Sequence, residues 1–128
     1  MAYDKQSYVE HVAIRVKDIQ WHMRFFREVL GMTLREVQGD ADSPKQVWTI
    51  GGFQLISDPS FEAPEGRLGH IGVMTEDLEA ALQEAEKWGV THLPQGRNWL
   101  RLPDGLCLEV MQAHGPAVAQ ALAINARA

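Results

Sequence analysis

The chain has 128 residues, 45% of them hydrophobic, and its 12 Lys and Arg against 17 Asp and Glu give a net charge of −5. That length and apolar content suit one domain with a modest core, and the acidic balance excludes the basic patch of a nucleic-acid-binding surface. No apolar run nears the roughly 18 residues of a membrane span, residues 1–5 lack a secretory apolar stretch, and Cys107, the lone cysteine, excludes an intrachain disulfide framework, so a cytoplasmic protein without membrane or nucleic-acid partners is expected.

Residues 9–16 are rich in β-branched side chains and read as a strand. Asp18 is placed to cap a helix, along which Ile19, His22, Met23, Phe26, Val29 and Leu30 recur at helical spacing. Gly31 suits the left-handed residue that ends such a helix. Three short strands follow at 33–38, 45–50 and 53–57, parted by Gly, Asp and Pro. Residues 58–67, with two prolines and a glycine, form a connector. The order then repeats. A strand at 68–74 precedes a helix face of Leu78, Ala81, Leu82, Ala85 and Trp88 that ends near Gly89, and strands follow at 90–93, 98–102 and 106–112. The Ala-rich tail reads as a short helix without a chemical signal.

The repetition is also one of residues. His11-Val12-Ala13-Ile14-Arg15-Val16-Lys17-Asp18 recurs in outline as His70-Ile71-Gly72-Val73-Met74-Thr75-Glu76-Asp77, with His and Asp both displaced by 59 positions. Val29-Leu30-Gly31-Met32 is echoed by Lys87-Trp88-Gly89-Val90, and Ile50-Gly51-Gly52-Phe53 by residues 102–106. The expected architecture is α+β: two βαβββ modules at about 8–57 and 68–112, the connector 58–67 and a tail 113–128, all within one domain.

Strand side chains alternate between faces. Val12, Ile14, Val16, Phe53, Leu55, Ile71, Val73, Leu106, Leu108 and Val110 form the packing set. His11, Gln54, His70 and Glu109 then fall on the opposite face. Two imidazoles, an amide oxygen and a carboxylate form a nitrogen/oxygen set suited to a divalent transition metal. Their separation in sequence is far too long for a local zinc finger.

The stretch Ile14-Arg15-Val16-Lys17-Asp18, with Phe25-Phe26 and Val29-Leu30-Gly31-Met32, resembles the opening of glyoxalase I. Leu102-Pro103-Asp104-Gly105 leading to Leu108-Glu109-Val110 is similar to the family's ending, where the Glu is a metal ligand. On these residues the chain is identified as a member of the vicinal oxygen chelate superfamily of glyoxalase I, bleomycin-resistance proteins and extradiol dioxygenases. The resemblance implies an open cup-shaped mixed sheet with helices on its outer face, in a homodimer. It implies metal ligation by His11, His70 and Glu109. Gln54 stands where glyoxalase I has a Glu, as it does in methylmalonyl-CoA epimerase. The implied ligand set accepts Zn, Ni, Co, Mn or Fe.

The implied activity is that of a small metal-dependent lyase or isomerase on a 2-oxo or 2-hydroxy carbonyl compound. A bound cation stabilises the enediolate, and Glu109 is both ligand and candidate base. Arg15, on the His11 face, offers a bidentate partner for a substrate carboxylate, and Trp48, Trp99 and Arg101 are further candidates for contact with a small-molecule substrate. Glyoxalase I pairs its matching Arg with an Asn; here Asp58 stands there, and its charge argues against glutathione. Two alternatives are an iron(II) extradiol-type dioxygenase using the same two-His, one-carboxylate set and a non-catalytic drug-binding resistance protein. A fosfomycin-modifying transferase is expected to carry Thr two residues after the first His, where this chain has Ala13. His22, His92 and His114 read as structural, Glu36 and Asp40 as solvated loop acids, and Cys107 as an inert thiol.

Overall fold

Apolar alternation within Ser7–Val16 produces the first strand, β1, which leads directly into helix α1 (Ile19–Glu28). A computed structural model describes residues 3–29, 32–49, 52–62, 66–103 and 105–124. Asp18 caps α1 as its position predicts: its carboxylate accepts the Trp21 N–H at 3.0 Å, satisfying one of the donors that a helix start leaves open. Strands β2 (Leu34–Asp40), β3 (Ser43–Thr49) and β4 (Phe53–Ser57) complete the first module. The strand order is β2-β3-β4-β1, antiparallel except for the parallel β4–β1 pair.

The second module repeats this plan. β5 (Leu68–Thr75) leads into α2 (Leu78–Ala85), capped by Asp77, whose carboxylate accepts the Ala80 N–H at 3.1 Å. One tight turn, Glu86–Trp88, extends the helix to Gly89, where φ of 74° is the left-handed conformation glycine adopts most readily. β6 (Thr91–His92), β7 (Trp99–Arg101) and β8 (Cys107–Gln112) follow in the order β5-β8-β7-β6, with β8 parallel to β5. The tail forms α3 (Ala117–Leu122). Each module is βαβββ, and the fold is α+β. No helix among the described residues is long and apolar enough to cross a membrane.

Contacts group the chain into two units, His11–His70 and Met1–Glu10 together with Ile71–Ala128. The first strand starts at Ser7, two residues before β-branched content predicts, because the amino-terminal segment has partners in its unit. Gln6 N–H donates to Glu76 Oε1 at 2.6 Å, Ser7 Oγ donates to Thr75 Oγ1 at 2.7 Å, and the Tyr3 hydroxyl lies 2.5 Å from Thr75 Oγ1.

In the His11–His70 unit, Val16, Ile19, Val47 and Leu55 are buried, with Ile14, Met23, Phe26 and Leu34 packed around them. Burying each large side chain contributes about 1.5–3 kcal/mol. Phe26 also reaches Phe53, with ring centroids 5.5 Å apart. In the other unit Leu82, Leu100 and Val110 form the core, flanked by Leu78, Ala85, Val90 and Leu108. Ala85 sits at the helix position that Phe26 holds in the first module. Beside it an apolar groove of about 570 Å³ runs between Leu82, Trp88, Val73 and Leu100.

The last three strands are shorter than their apolar runs predict: β6 keeps two residues of 90–93, and β7 spans Trp99–Arg101 within 98–102. Pro94 cannot donate to a ladder, which limits β6. Leu30, Gly31, Ile50, Gly51 and Asp104, used in the sequence reading, lie outside the described residues.

Candidate metal centre

Because Ile14 and Val16 enter the core, His11, Ala13 and Arg15 occupy the other face of β1. His11 and His70 are buried, and their Nε2 atoms lie 3.0 Å apart, with the rings edge to face at 86°. A hydrogen bond between two Nε2 atoms needs one protonated nitrogen and one lone pair. Burial, followed by the proximity of His11 and then Arg15, lowers the His70 pKa from 6.5 to about 4. His70 is therefore a neutral imidazole at pH 7, the form that ligates metals.

Gln54 lies in register with Ala13 of β1 on one side and Trp48 of β3 on the other. Leu55 packs into the core, so Gln54 shares the His11 face, and only 4% of it is exposed. Its Nε2 donates to Gln46 Oε1. Its Oε1 is buried without a hydrogen-bond partner among the described residues, a state that costs about 1–3 kcal/mol unless something occupies the acceptor.

These residues fit a divalent cation. A buried His pair with an orphaned amide oxygen is a donor set for a borderline transition metal.

In the other unit, Glu109 is half-buried on β8, in register with Gly72 of β5 and Trp99 of β7. Leu108 and Val110, its neighbours in sequence, pack into that unit's core, so Glu109 takes the opposite face. Trp99 is half-buried, and Arg101 is exposed, paired in register with Cys107 and Thr91.

Arg15 has a structural task that its sequence position does not reveal. Its Nη1 donates to the Gly66 and Leu68 carbonyls at 2.6 and 3.2 Å, fastening the end of the connector. Asp58 accepts from Ser60 Oγ at 2.7 Å. His22 and His92 engage the carbonyls of Asp18 and Arg97 at 2.6 and 2.9 Å, and Glu36 and Asp40 are exposed. Gln46 is the residue that sequence reading overlooks. The alternation of buried Val47 and Thr49 with Gln46 and Trp48 along β3 is the signal that finds it.

The chain thus joins a duplicated βαβββ fold to a buried histidine pair. The chain matches the model of the Glyoxalase/Bleomycin resistance protein/Dioxygenase superfamily over residues 8–97, and it belongs to that superfamily. It is 31% identical over 121 residues to the uncharacterized protein YwbC of Bacillus subtilis, covering 81% of this chain and 96% of YwbC. The hypothetical protein BH1468 from Bacillus halodurans has a similar fold, with a TM-score of 0.63 at 18% identity over 87% of this chain and 97% of that one. Methylmalonyl-CoA epimerase from Mycobacterium tuberculosis gives a TM-score of 0.59 at 18% identity, covering 87% and 91%.

Proposed function

We propose that the chain is a metal-dependent lyase or isomerase of glyoxalase type, acting on a small 2-oxo or 2-hydroxy carbonyl compound. His11, His70 and Glu109 each offer a ligand atom, and Gln54 Oε1 is a fourth donor. The observation that carries this reading is the buried His11–His70 pair, with Nε2 atoms 3.0 Å apart, on the same face as an amide oxygen that lacks a partner among the described residues. The Gln54/Glu109 correspondence supports Glu109, because the two residues hold matching register positions in the two modules.

A divalent cation bound there supplies a Lewis acid that polarises neighbouring substrate oxygens and acidifies the adjoining carbon. Glu109 is the carboxylate that takes the carbon-bound proton. Trp48 and Trp99, each in register beside an oxygen ligand, wall the substrate and exclude water. Arg15 braces the connector beside His70 and Arg101 offers a cation for a substrate anion, while a homodimer is the assembly that accompanies this reading.

The test is deuterium wash-in. Metal-loaded protein is incubated in D₂O with a panel of 2-oxo and 2-hydroxy acids, aldehydes and thioesters and followed by NMR. Metal-dependent exchange that disappears in Glu109→Gln is the expected result. Absence of a stoichiometric divalent ion, with no exchange across the panel, overturns the reading. Sedimentation velocity tests the dimer.

A further inference from the structure

We infer that Gln46 is a positioning residue for the metal site: by accepting a hydrogen bond from Gln54 Nε2 it fixes which end of the Gln54 amide faces the His11 side of the sheet. The inference rests on the metal-site reading above and extends it to a residue outside the ligand set.

An amide side chain has a chemically useful end and a useless one as a metal ligand. Its oxygen carries lone pairs, whereas its nitrogen gives its pair to the carbonyl and presents only N–H donors. The two orientations have nearly the same shape, so packing alone does not choose between them. A hydrogen-bond partner must. Gln54 is buried, and its nitrogen is committed sideways to Gln46 Oε1. That commitment leaves Oε1 as the buried atom without a partner.

The strand geometry explains why Gln46 can reach. β3 and β4 are antiparallel, with Gln46 in register with Ile56 and Trp48 with Gln54. Gln46 and Gln54 are therefore diagonal neighbours on one face, a separation that long side chains span. On the other face, Val47 and Leu55 are fully buried in the core, which holds the two backbones in this register. A residue that orients a ligand through such a bond typically affects metal affinity 10–100-fold without touching the metal.

The probe is Co(II), whose visible absorption changes in intensity when an oxygen ligand joins or leaves. Affinity and spectrum are measured for the full chain and for Gln46→Leu, Gln46→Met, Gln46→Glu, Gln54→Leu and the double variant Gln46→Leu/Gln54→Leu. Metal-free melting curves accompany each, and Gln46→Met stands in for Gln46→Leu if the latter melts early. Removing the acceptor should weaken Co(II) binding about tenfold and shift the spectrum toward that of Gln54→Leu. The double variant should bind no more weakly than Gln54→Leu alone, because the two residues act through one ligand. Gln46→Glu, an acceptor with no donor, should retain the parent spectrum.

Additive losses in the double variant overturn the inference, as does an unchanged Co(II) spectrum and affinity in Gln46→Leu and Gln46→Met. If the parent chain takes up no stoichiometric Co(II), the metal-site reading itself fails, and the role of Gln46 fails with it.

Discussion

Gln54 and Glu109 hold the same place in the two modules: each lies in register with a small residue of its module's first strand, Ala13 or Gly72, and with a tryptophan on the other side, Trp48 or Trp99. The duplication has kept the position and varied its charge. Gln54→Glu therefore makes the first module carry the second module's group. With metal removed, a carboxylate at this buried point should cost about 1–3 kcal/mol, read as a lower urea midpoint. Zinc should restore that loss and bind at least about tenfold more tightly, because an anionic ligand replaces a neutral one. Equal stability of parent and variant in chelator would contradict the burial on which this rests.

The His11–His70 pair predicts a pH dependence with a definite sign. Above pH 6.5 His70 is neutral in both folded and unfolded chains and contributes no slope. Between 6.5 and about 4 the unfolded chain binds a proton that the folded chain refuses, so stability falls as pH falls. Metal-free protein should lose stability through this window, and His70→Gln should show a shallower loss. Parallel curves for the two proteins would remove His70 as the cause.

Helix capping should be equally costly to lose in both modules. Asp18 and Asp77 each accept a backbone N–H three residues on, at 3.0 and 3.1 Å. Replacing either with Ala should destabilise the protein by about 1 kcal/mol, measured by denaturant unfolding, while Asn should recover most of the loss. A large asymmetry would mean that one helix start has another source of support.

The groove beside Ala85 marks where the second module is under-filled. Ala85→Met places a flexible apolar side chain against Leu82, Trp88 and Leu100, which line that space. A gain of about 1 kcal/mol is expected, seen as a higher melting temperature without a change in metal affinity. A lower melting temperature would show that the groove has no room for the added atoms.

Much of this arrangement was legible in the chain because it rests on local rules applied twice. The β-branched alternation around Ile14 and Val16, the caps at Asp18 and Asp77 and the left-handed Gly89 are all local signals. Strand parity then sorted His11 from Val16 and Glu109 from Val110 without knowledge of pairing. Alternation along β3 assigns Gln46 its face, but its reach to Gln54 depends on the register of β3 against β4, which no local pattern states. The hold of Arg15 on the connector stayed hidden for the same reason: its partners, the carbonyls of Gly66 and Leu68, are distant in sequence and carry no side-chain signal.

The membership of Tyr3, Gln6 and Ser7 in the later unit, through Thr75 and Glu76, has a consequence for biosynthesis. These residues leave the ribosome well ahead of their partners Thr75 and Glu76, which follow only after the whole His11–His70 stretch. During translation the His11–His70 stretch can assemble its own core around Val16, Val47 and Leu55, while the leading segment waits. For Tyr3, Gln6 and Ser7 the order of synthesis and the order of completion therefore run in opposite directions. Truncating the first few residues should leave the early unit's assembly untouched and fall on the unit that finishes last.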